Sequence, residues 1–235
     1  MSPPDPFFGE LYLRSTRPFL SPQVTHAEAA FLRARLPATG RLLDLGCGHG
    51  RHLAQLGGFG VDRDQLSLLE ARAHGQVSRA DLRALPFRDR AFDGGWCWYN
   101  SLGTFEDEQV PLILREVARC LKPGAPFIIQ GSNIERARAQ PDASYDGPIG
   151  LGDHLRERAH FDPEKRRDEI VRQLTTDDGR VLEAPFFIRY YDVAEWSRLL
   201  EEAGFFTRWW LGGVEGSALE QSSTDVIVGA ERKGP

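Results

Sequence analysis

The chain has 235 residues, of which 41% are hydrophobic and 27% charged, a composition typical of a folded globular protein with one large core. Its net charge of −5 argues against a broad phosphate-binding surface and hence against DNA as a partner, although a local basic patch would be enough to bind RNA. No apolar run reaches the roughly 20 residues of a membrane span, and the N-terminus lacks the basic start and apolar stretch of a signal peptide.

The first half of the chain alternates between predicted strands and helices. Residues 1–21 are Pro-rich and aromatic and are predicted to form an arm over the domain, followed by a helix from Pro22 to Leu36. Five strands are then predicted, at 41–45, 59–62, 76–81, 92–99 and 126–130. Helices are predicted between them, the most strongly amphipathic over 110–121. This alternation predicts an α/β fold with a mostly parallel sheet.

The second half departs from this pattern after Gly131. Residues 134–156 are polar and predicted to be irregular, and residues 160–191 are predicted to be β-structure with a hairpin turn at Asp178–Gly179. A helix over 192–203 and two closing strands follow. The chain is therefore predicted to be one doubly wound domain with a seven-stranded Rossmann-like sheet, helices on both faces and a small antiparallel insertion. Its predicted parts are the arm and first helix (1–37), the core (38–133), an inserted lid and hairpin (134–191), and the closing helix and strands (192–235).

A glycine-rich loop follows the first strand in the stretch LLDLGCGHGRH, Leu42 to His52. Its glycines permit tight turning and let a ligand approach bare backbone, and the helix after the loop presents free N–H groups. The spacing is G-x-G-x-G, whereas the NAD fingerprint requires a glycine where Arg51 stands. The loop therefore favours a nucleoside ligand without a pyrophosphate.

Two aspartates stand at the ends of the next two predicted strands. Asp62 lies 18 positions after Asp44, and Asp81 lies 19 positions further on. A carboxylate about 20 residues after such a loop accepts hydrogen bonds from ribose hydroxyls. A single aspartate at the end of a strand is more often a helix cap or a turn residue. Together and in phase with the glycine loop, they predict a nucleoside site.

Several stretches resemble the successive motifs of class I S-adenosylmethionine-dependent methyltransferases. They lie between about residues 40 and 130 and read LLDLGCGHG, GVDRD, ADLRALPFRDRAFDGG and LREVARCLKPGAPFII. The later stretch FFIRYYDVAEWSRLLEEAGF resembles a subgroup with an extra antiparallel sheet inserted before the last helix. The resemblance implies S-adenosylmethionine as cofactor and methyl transfer as the reaction, and it leaves the acceptor open.

The resemblance also implies roles for residues of the glycine loop and the second strand. The backbone of Gly46, Cys47 and Gly48 would contact the methionine and ribose parts of the cofactor, and Asp44 would order the methionine ammonium. Asp62 would bind both ribose hydroxyls.

Further cofactor contacts are implied around the adenine and the sulfonium. Asp81 and Leu82 would meet adenine, the stretch from Cys97 to Asn100 would border the sulfonium, and Tyr12 and Arg14 would close the arm over the cofactor. No metal ligand is expected.

Aromatic residues in the fourth predicted strand suit a cationic ligand. Trp96, Trp98 and Tyr99 are available beside the implied sulfonium, which an aromatic face would favour. Alternate residues of a strand face opposite ways, so at least one of the three is expected in the core.

The sequence also offers candidates for acid–base chemistry. Methyl transfer gains much of its acceleration from alignment, so no catalytic triad is expected, although an oxygen or nitrogen acceptor can require a base. His154, His160, Tyr190 and Tyr191 lie in or beside the insertion and are candidates, with structural or surface roles as the alternative for each.

The acceptor is predicted to be a small molecule. Methylases of nucleobase or glutamine amino groups carry an Asn/Asp-Pro-Pro-aromatic motif after strand four, where this chain has YNSLGTF. The alternatives are an RNA or protein methyltransferase, a non-catalytic S-adenosylmethionine-binding subunit, an aminopropyl transferase and a nicotinamide oxidoreductase.

Three isolated cysteines, Cys47, Cys97 and Cys120, indicate free thiols and a cytoplasmic location.

Overall fold

The computed structural model describes residues 6–234, so the first five residues of the predicted arm and Pro235 lie outside the described residues. The strands are β1 (Leu42–Leu45), β2 (Phe59–Asp62), β3 (Gln76–Arg79), β4 (Gly94–Cys97), β5 (Pro126–Ser132), β6 (Asp142–Pro148), β7 (His154–Asp162), β8 (Arg167–Thr175), β9 (Val181–Arg189), β10 (Phe205–Leu211) and β11 (Asp225–Arg232). The α-helices are α1 (Glu10–Thr16), α2 (Pro22–Arg33), α3 (Leu53–Leu56), α4 (Gln65–Ala71), α5 (Val110–Cys120), α6 (Ile134–Ala139) and α7 (Val193–Glu202).

Seven strands form the main sheet in the order β10-β11-β5-β4-β1-β2-β3. The neighbouring pairs from β5 to β3 are parallel, and β11 is antiparallel to both β5 and β10. This arrangement confirms the predicted seven-stranded, mostly parallel sheet. The order reverses between β1 and β4, and in such sheets ligands bind outside the carboxyl ends of the strands at that point.

Helices cover both faces of this sheet because its central strands carry apolar side chains on both sides. On one face, α5 and α7 pack through residues such as Ile113 and Leu200 against Leu43. On the other face, Phe31 of α2 packs with Trp96 of β4. Both faces are therefore covered, as a doubly wound fold requires.

A second, four-stranded antiparallel sheet has the order β6-β7-β8-β9. The predicted hairpin turn at Asp178–Gly179 is confirmed and connects β8 to β9, with Gly179 at φ 84°. The prediction that residues 134–156 are irregular is wrong, because they contain α6, β6 and the start of β7. Six of the seven residues of β6 are exposed. An exposed edge strand carries no apolar periodicity, so its pairing with β7 leaves no signal in the sequence.

The N-terminal segment packs on this second sheet. Phe7 and Leu11 are buried against Leu155 of β7 and Leu174 of β8, and the Phe7 ring stacks on Phe186 of β9 with centroids 3.6 Å apart. The predicted arm is thus partly helical and forms a layer with the insertion.

No helix in the described range is long and apolar enough to cross a membrane.

Candidate active site

A cavity of about 220 Å³ lies beyond the carboxyl ends of the central strands, between the two sheets. Its main-sheet side includes Gly46, Gly48, Asp62, Asp81, Leu82 and Asn100. Its opposite side includes Phe7, Phe8, Tyr12, Ile170, Arg172, Phe186 and Ile188. A smaller cavity of about 30 Å³ adjoins it, because Tyr12, Gly46, Gly48, Tyr99 and Ser101 line both. Most of the predicted cofactor residues therefore meet at one place.

The glycine loop presents bare backbone to both cavities. The backbone N–H groups of Gly46 and Cys47 donate to the Val61 carbonyl at 2.8 and 3.0 Å, which ties the loop to β2. Gly48 has φ 53°, and a Cβ built there would have no atom within 4 Å, so this position opens onto space. The loop can thus admit a ligand against its main chain.

Asp62 is fixed at the wall of the large cavity. Its Oδ2 accepts from the Gly48 N–H and its Oδ1 from the Asp64 N–H, both at 2.8 Å. Burial raises the pKa of this carboxyl, and the two backbone donors act in the opposite direction. Each carboxylate oxygen keeps a further lone pair, which suits a ligand with two neighbouring hydroxyls.

Asp81 and Leu82 lie at the rim of the same cavity. Asp81 accepts hydrogen bonds from the Arg83 N–H and Nε, both at 2.9 Å, and this pairing lowers the pKa of its carboxyl. Leu82 is buried and gives an apolar surface beside it. An apolar surface next to a carboxylate acceptor suits a flat base with an exocyclic amine.

Asp44 lines the small cavity and is buried. Burial raises the pKa of its carboxyl to about 8, with Arg51 acting to lower it and Asp62 to raise it. A cation bound beside it would restore the charged form. His49 lines the same cavity, and burial lowers the pKa of its imidazole to about 4.

The chain turns sharply after β4, where Tyr99 and Asn100 adopt left-handed conformations at φ 59° and 57°. The Tyr99 N–H donates to Gln130 Oε1 at 2.7 Å, and Ser132 N–H donates to Asn100 Oδ1 at 2.7 Å. Consecutive non-glycine residues with positive φ are costly and persist where the surroundings hold them, often at functional sites. The turn places Tyr99 at both cavities.

Two predicted cofactor residues lie outside both cavities among the described residues. Cys97 is buried in the core beneath the site. Arg14 points to the second sheet, where its Nε donates to Asp153 Oδ2 at 2.8 Å and its Nη2 to Asp177 Oδ1 at 2.9 Å. Its side chain ties α1 to the insertion, and the predicted closure of the arm over the cofactor stays a prediction. Trp96 is also buried in the core, which confirms that at least one of the three aromatic residues packs there.

The four acid–base candidates are not brought to the large cavity. His154 and His160 are exposed on β7, where they pair with Asp146 and Asp142 on β6. The Tyr190 hydroxyl donates to Asp168 at 2.5 Å, and the Tyr191 hydroxyl donates to Asp107 at 3.1 Å. Because cross-strand and helix-packing contacts hold them, these side chains have structural positions.

The sequence predicted that the inserted hairpin forms a wall of the substrate site, but it did not single out the residues of that wall that face the glycine loop. Ile170 and Arg172 are two residues apart on β8, and Phe186 and Ile188 are two residues apart on β9. Ile170 and Phe186 are register partners. Period-two spacing on paired strands puts all four on one face of the sheet. That alternation was visible in the sequence, but the cavity it faces was not.

Comparison with known proteins agrees with this site. Residues 42–124 match the family model described as a methyltransferase domain. Over 121 residues the chain is 38% identical to malonyl-[acyl-carrier protein] O-methyltransferase of Erwinia pyrifoliae, a match that covers 46% of this chain and 45% of that relative. The chain therefore aligns with less than half the length of this curated relative.

Solved structures resemble the chain over nearly its whole length. An S-adenosylmethionine-dependent methyltransferase from Clostridium acetobutylicum has a TM-score of 0.82 at 15% identity and covers 97% of this chain and 98% of its own. S-adenosylmethionine-bound CalS10 from Micromonospora echinaspora, an amino pentose methyltransferase, has a TM-score of 0.69 at 16% identity and covers 96% and 98%. At these identities the likeness establishes the fold.

Residues 42–124 thus match a methyltransferase domain, and the whole chain has the fold of solved S-adenosylmethionine-dependent methyltransferases.

Proposed function

We propose that this protein transfers a methyl group from S-adenosylmethionine to a small-molecule acceptor. The proposal rests on one cavity that is lined by the main sheet on one side and by the second sheet on the other. The main-sheet side presents the backbone of the glycine loop and the Asp62 carboxylate, and the second-sheet side is a mostly apolar wall that includes Phe186 and the charged Arg172. A nucleoside cofactor and a second molecule would therefore meet between the two sheets.

The residues of the main sheet fit this cofactor. Gly48 leaves open space at the loop, and Asp62 holds two fixed oxygens beside it. Asp44 lies at the end of the adjoining small cavity, where an ammonium group would stabilise its ionised form. We propose that Asp62 binds the ribose hydroxyls, that Asp44 orders the methionine ammonium, and that Asp81 and Leu82 meet adenine.

When bound, the cofactor supplies an electrophilic methyl group on a sulfonium. The protein's own part is alignment, which can supply much of the acceleration of a displacement reaction. Gln130 and Ser132 hold the strained turn at Tyr99 and Asn100, so the Tyr99 ring keeps one position between the cavities. The second sheet and α1 form the opposite side of the cavity.

Enclosure favours a small acceptor over a macromolecule. The cavity is roofed by α1 and the second sheet, which are tied together by the Arg14–Asp153 and Arg180–Glu10 ion pairs. A polymer such as RNA would have to enter beneath this roof. The similar proteins named above include an O-methyltransferase and an amino pentose methyltransferase. We further propose a cytoplasmic location, supported by the three buried free thiols.

Incubation with S-adenosylmethionine labelled in the methyl group tests this function. We expect label to pass to members of a small-molecule panel and S-adenosylhomocysteine to accumulate in equal amount. Total RNA and denatured protein serve as competing acceptors in parallel. Label transferred to RNA or protein and to no small molecule would contradict the proposed acceptor class.

A further inference from the structure

Three polar groups of the acceptor side have no hydrogen-bond partner among the described residues. They are the hydroxyls of Tyr12 and Tyr99 and the Nη2 atom of Arg172, and all three side chains line the large cavity. All three residues line the same cavity, and Tyr12 interacts electrostatically with Tyr99, and Tyr99 with Arg172. A cluster of donors without partners at a cavity wall is a place for an acceptor oxygen of a ligand.

Arg172 is held so that one end of its guanidinium stays available. Its Nε pairs with Glu157 on β7, and its Nη1 donates to Ser15 Oγ at 3.1 Å and Thr16 Oγ1 at 2.9 Å. Its carbon CZ also lies 5.2 Å from the Phe186 ring centroid. These contacts fix the plane of the guanidinium and leave Nη2 for a ligand. Glu157 offsets part of the charge of Arg172.

A second cation, Arg51, lies near these three groups, and its ion pair with Glu28 offsets part of its charge. The guanidinium of Arg51 lies 5.9 Å from the Tyr99 ring centroid, on the small-cavity side. Tyr99 is thus flanked by Arg51 and Arg172, and both lower the pKa of its hydroxyl against the opposing effect of burial. The rest of this wall is apolar, with Ile170, Phe186 and Ile188. An anion with an apolar body matches this surface.

The titratable side chains that line the large cavity are engaged by other groups or stay protonated, and among them Asp81 is paired with Arg83. In the small cavity, Asp44 is the residue that we propose orders the methionine ammonium. Burial raises the pKa of Tyr12 and Tyr99, so both hydroxyls stay protonated. Asp62 is engaged by two backbone N–H groups, and Asp64 caps α4. His49 has a pKa lowered to about 4, too low for an effective base at pH 7. An alcohol or an ammonium group would have to lose a proton, whereas a carboxylate has none to lose.

We propose that the acceptor is a small carboxylic acid with an apolar body, and that its carboxylate is converted to a methyl ester. The inference rests on the proposed function. One carboxylate oxygen accepts hydrogen bonds from Arg172, Tyr99 and Tyr12, and the other forms the new O–C bond with the methyl carbon. The C–S bond breaks with its electron pair left on sulfur, the negative charge of the acid cancels the positive charge of the sulfonium, and no proton moves.

Matched acceptors test the proposal. Aliphatic and phenyl-substituted alkanoic acids are each compared with the amide, the amine and the alcohol of the same skeleton. We expect the acids alone to receive methyl label, in a product that releases volatile labelled methanol in mild base. In the presence of S-adenosylhomocysteine, the acids should also raise the melting temperature while the amides do not.

Two arginine variants separate a binding role from a structural one. Arg172→Met should raise the KM for the acid roughly 10- to 100-fold, because a hydrogen bond to a charged group is lost. The Kd for S-adenosylhomocysteine should stay unchanged. Arg180→Met is the control, because Arg180 also ties the second sheet to α1, through Glu10, but lines neither cavity. Tyr99→Phe removes one hydroxyl without altering the roof and should raise the same KM by a smaller factor.

The outcomes are separable. Failure of the protein to bind S-adenosylhomocysteine would overturn the proposed function. Cofactor binding with methylation of the amines or alcohols in place of the acids would overturn only the carboxylate inference. The inference would likewise fall if no acid of the panel stabilised the S-adenosylhomocysteine complex, or if Arg172→Met and Arg180→Met raised KM equally.

Discussion

The two sheets of this protein border the same cavity but are stabilised differently. The central strands of the main sheet are buried on both faces, with side chains such as Leu43 and Ile128 fully enclosed. The N-terminal segment buries one face of the second sheet. On the opposite face, Val171 and Val181 are 48% and 57% exposed. The cofactor side is therefore built on the densely packed part of the molecule.

This difference separates two tasks. The main sheet positions the glycine loop and the carboxylates that we propose bind the cofactor, and the second sheet supplies the opposite wall, which we propose contacts the acceptor. The exposed Arg180–Glu10 ion pair is one of the contacts between the second sheet and α1. Because partly exposed ion pairs contribute little stability compared with apolar burial, the acceptor wall is expected to open more readily than the cofactor loop.

The largest effect is expected from a glycine of the cofactor loop. Gly50 has φ 83°, and a Cβ there would lie 2.9 Å from the Ala71 Cα, so Gly50→Ala combines backbone strain with overpacking. We expect a loss of about 2–5 kcal/mol in the free energy of unfolding. Gly179→Ala in the β8–β9 turn is the comparison, since its φ is 84° but its Cβ would meet nothing. Strain alone should cost it about 1–2 kcal/mol in urea denaturation. An equal loss of unfolding free energy in the two variants would show that the glycine loop and the β8–β9 turn are packed equally tightly.

The next effect concerns cofactor affinity. Asp62→Ala should weaken S-adenosylhomocysteine by about 1.5–3 kcal/mol, because hydrogen bonds to a charged group are lost, and the fold should survive. Asp142→Ala is the control, since Asp142 is an exposed carboxylate of the second sheet that pairs with His160. Isothermal titration calorimetry measures both. An unchanged Kd for Asp62→Ala would mean that the ribose site is elsewhere.

A pH-dependent effect on stability is expected from Asp44. Its folded pKa of about 8 exceeds the unfolded value of about 3.9, so between these values the folded state holds a proton that the unfolded state has released. Stability of the ligand-free protein due to this group therefore falls as pH rises from about 4 to 8. Asp44→Asn should raise the melting temperature at pH 8 more than at pH 5, and should weaken S-adenosylmethionine. An equal change at both pH values would show that Asp44 ionises normally.

The smallest expected effect is dynamic. The insertion over residues 134–190 is predicted to be a substrate lid, so its segment 134–160 should gain hydrogen-exchange protection when cofactor and acceptor bind together. Changes in it should alter acceptor preference more than cofactor affinity. The alternative is a sheet that only covers apolar surface. Equal protection in every state, with unchanged acceptor kinetics in a hairpin variant, would favour that alternative.

Local sequence was sufficient for the main sheet and its loop. Buried strands such as β2 are short apolar runs, and Gly48 follows β1 while Asp62 ends β2, at the spacing from which a nucleoside site is predicted. The partners of Arg14 could not be predicted, because Asp153 and Asp177 are more than a hundred residues away in sequence. Long-range pairing of polar side chains has no periodic signature, so the acceptor wall became visible only in the folded chain.

Calorimetric titration with S-adenosylhomocysteine and, separately, with NADH tests the central assignment most directly. The glycine loop in phase with Asp62 and Asp81 predicts that S-adenosylhomocysteine binds at one site per chain and raises the melting temperature, because a ligand of the native state stabilises it. NADH should give no heat of binding. Binding of NADH with no response to S-adenosylhomocysteine or S-adenosylmethionine would contradict the account.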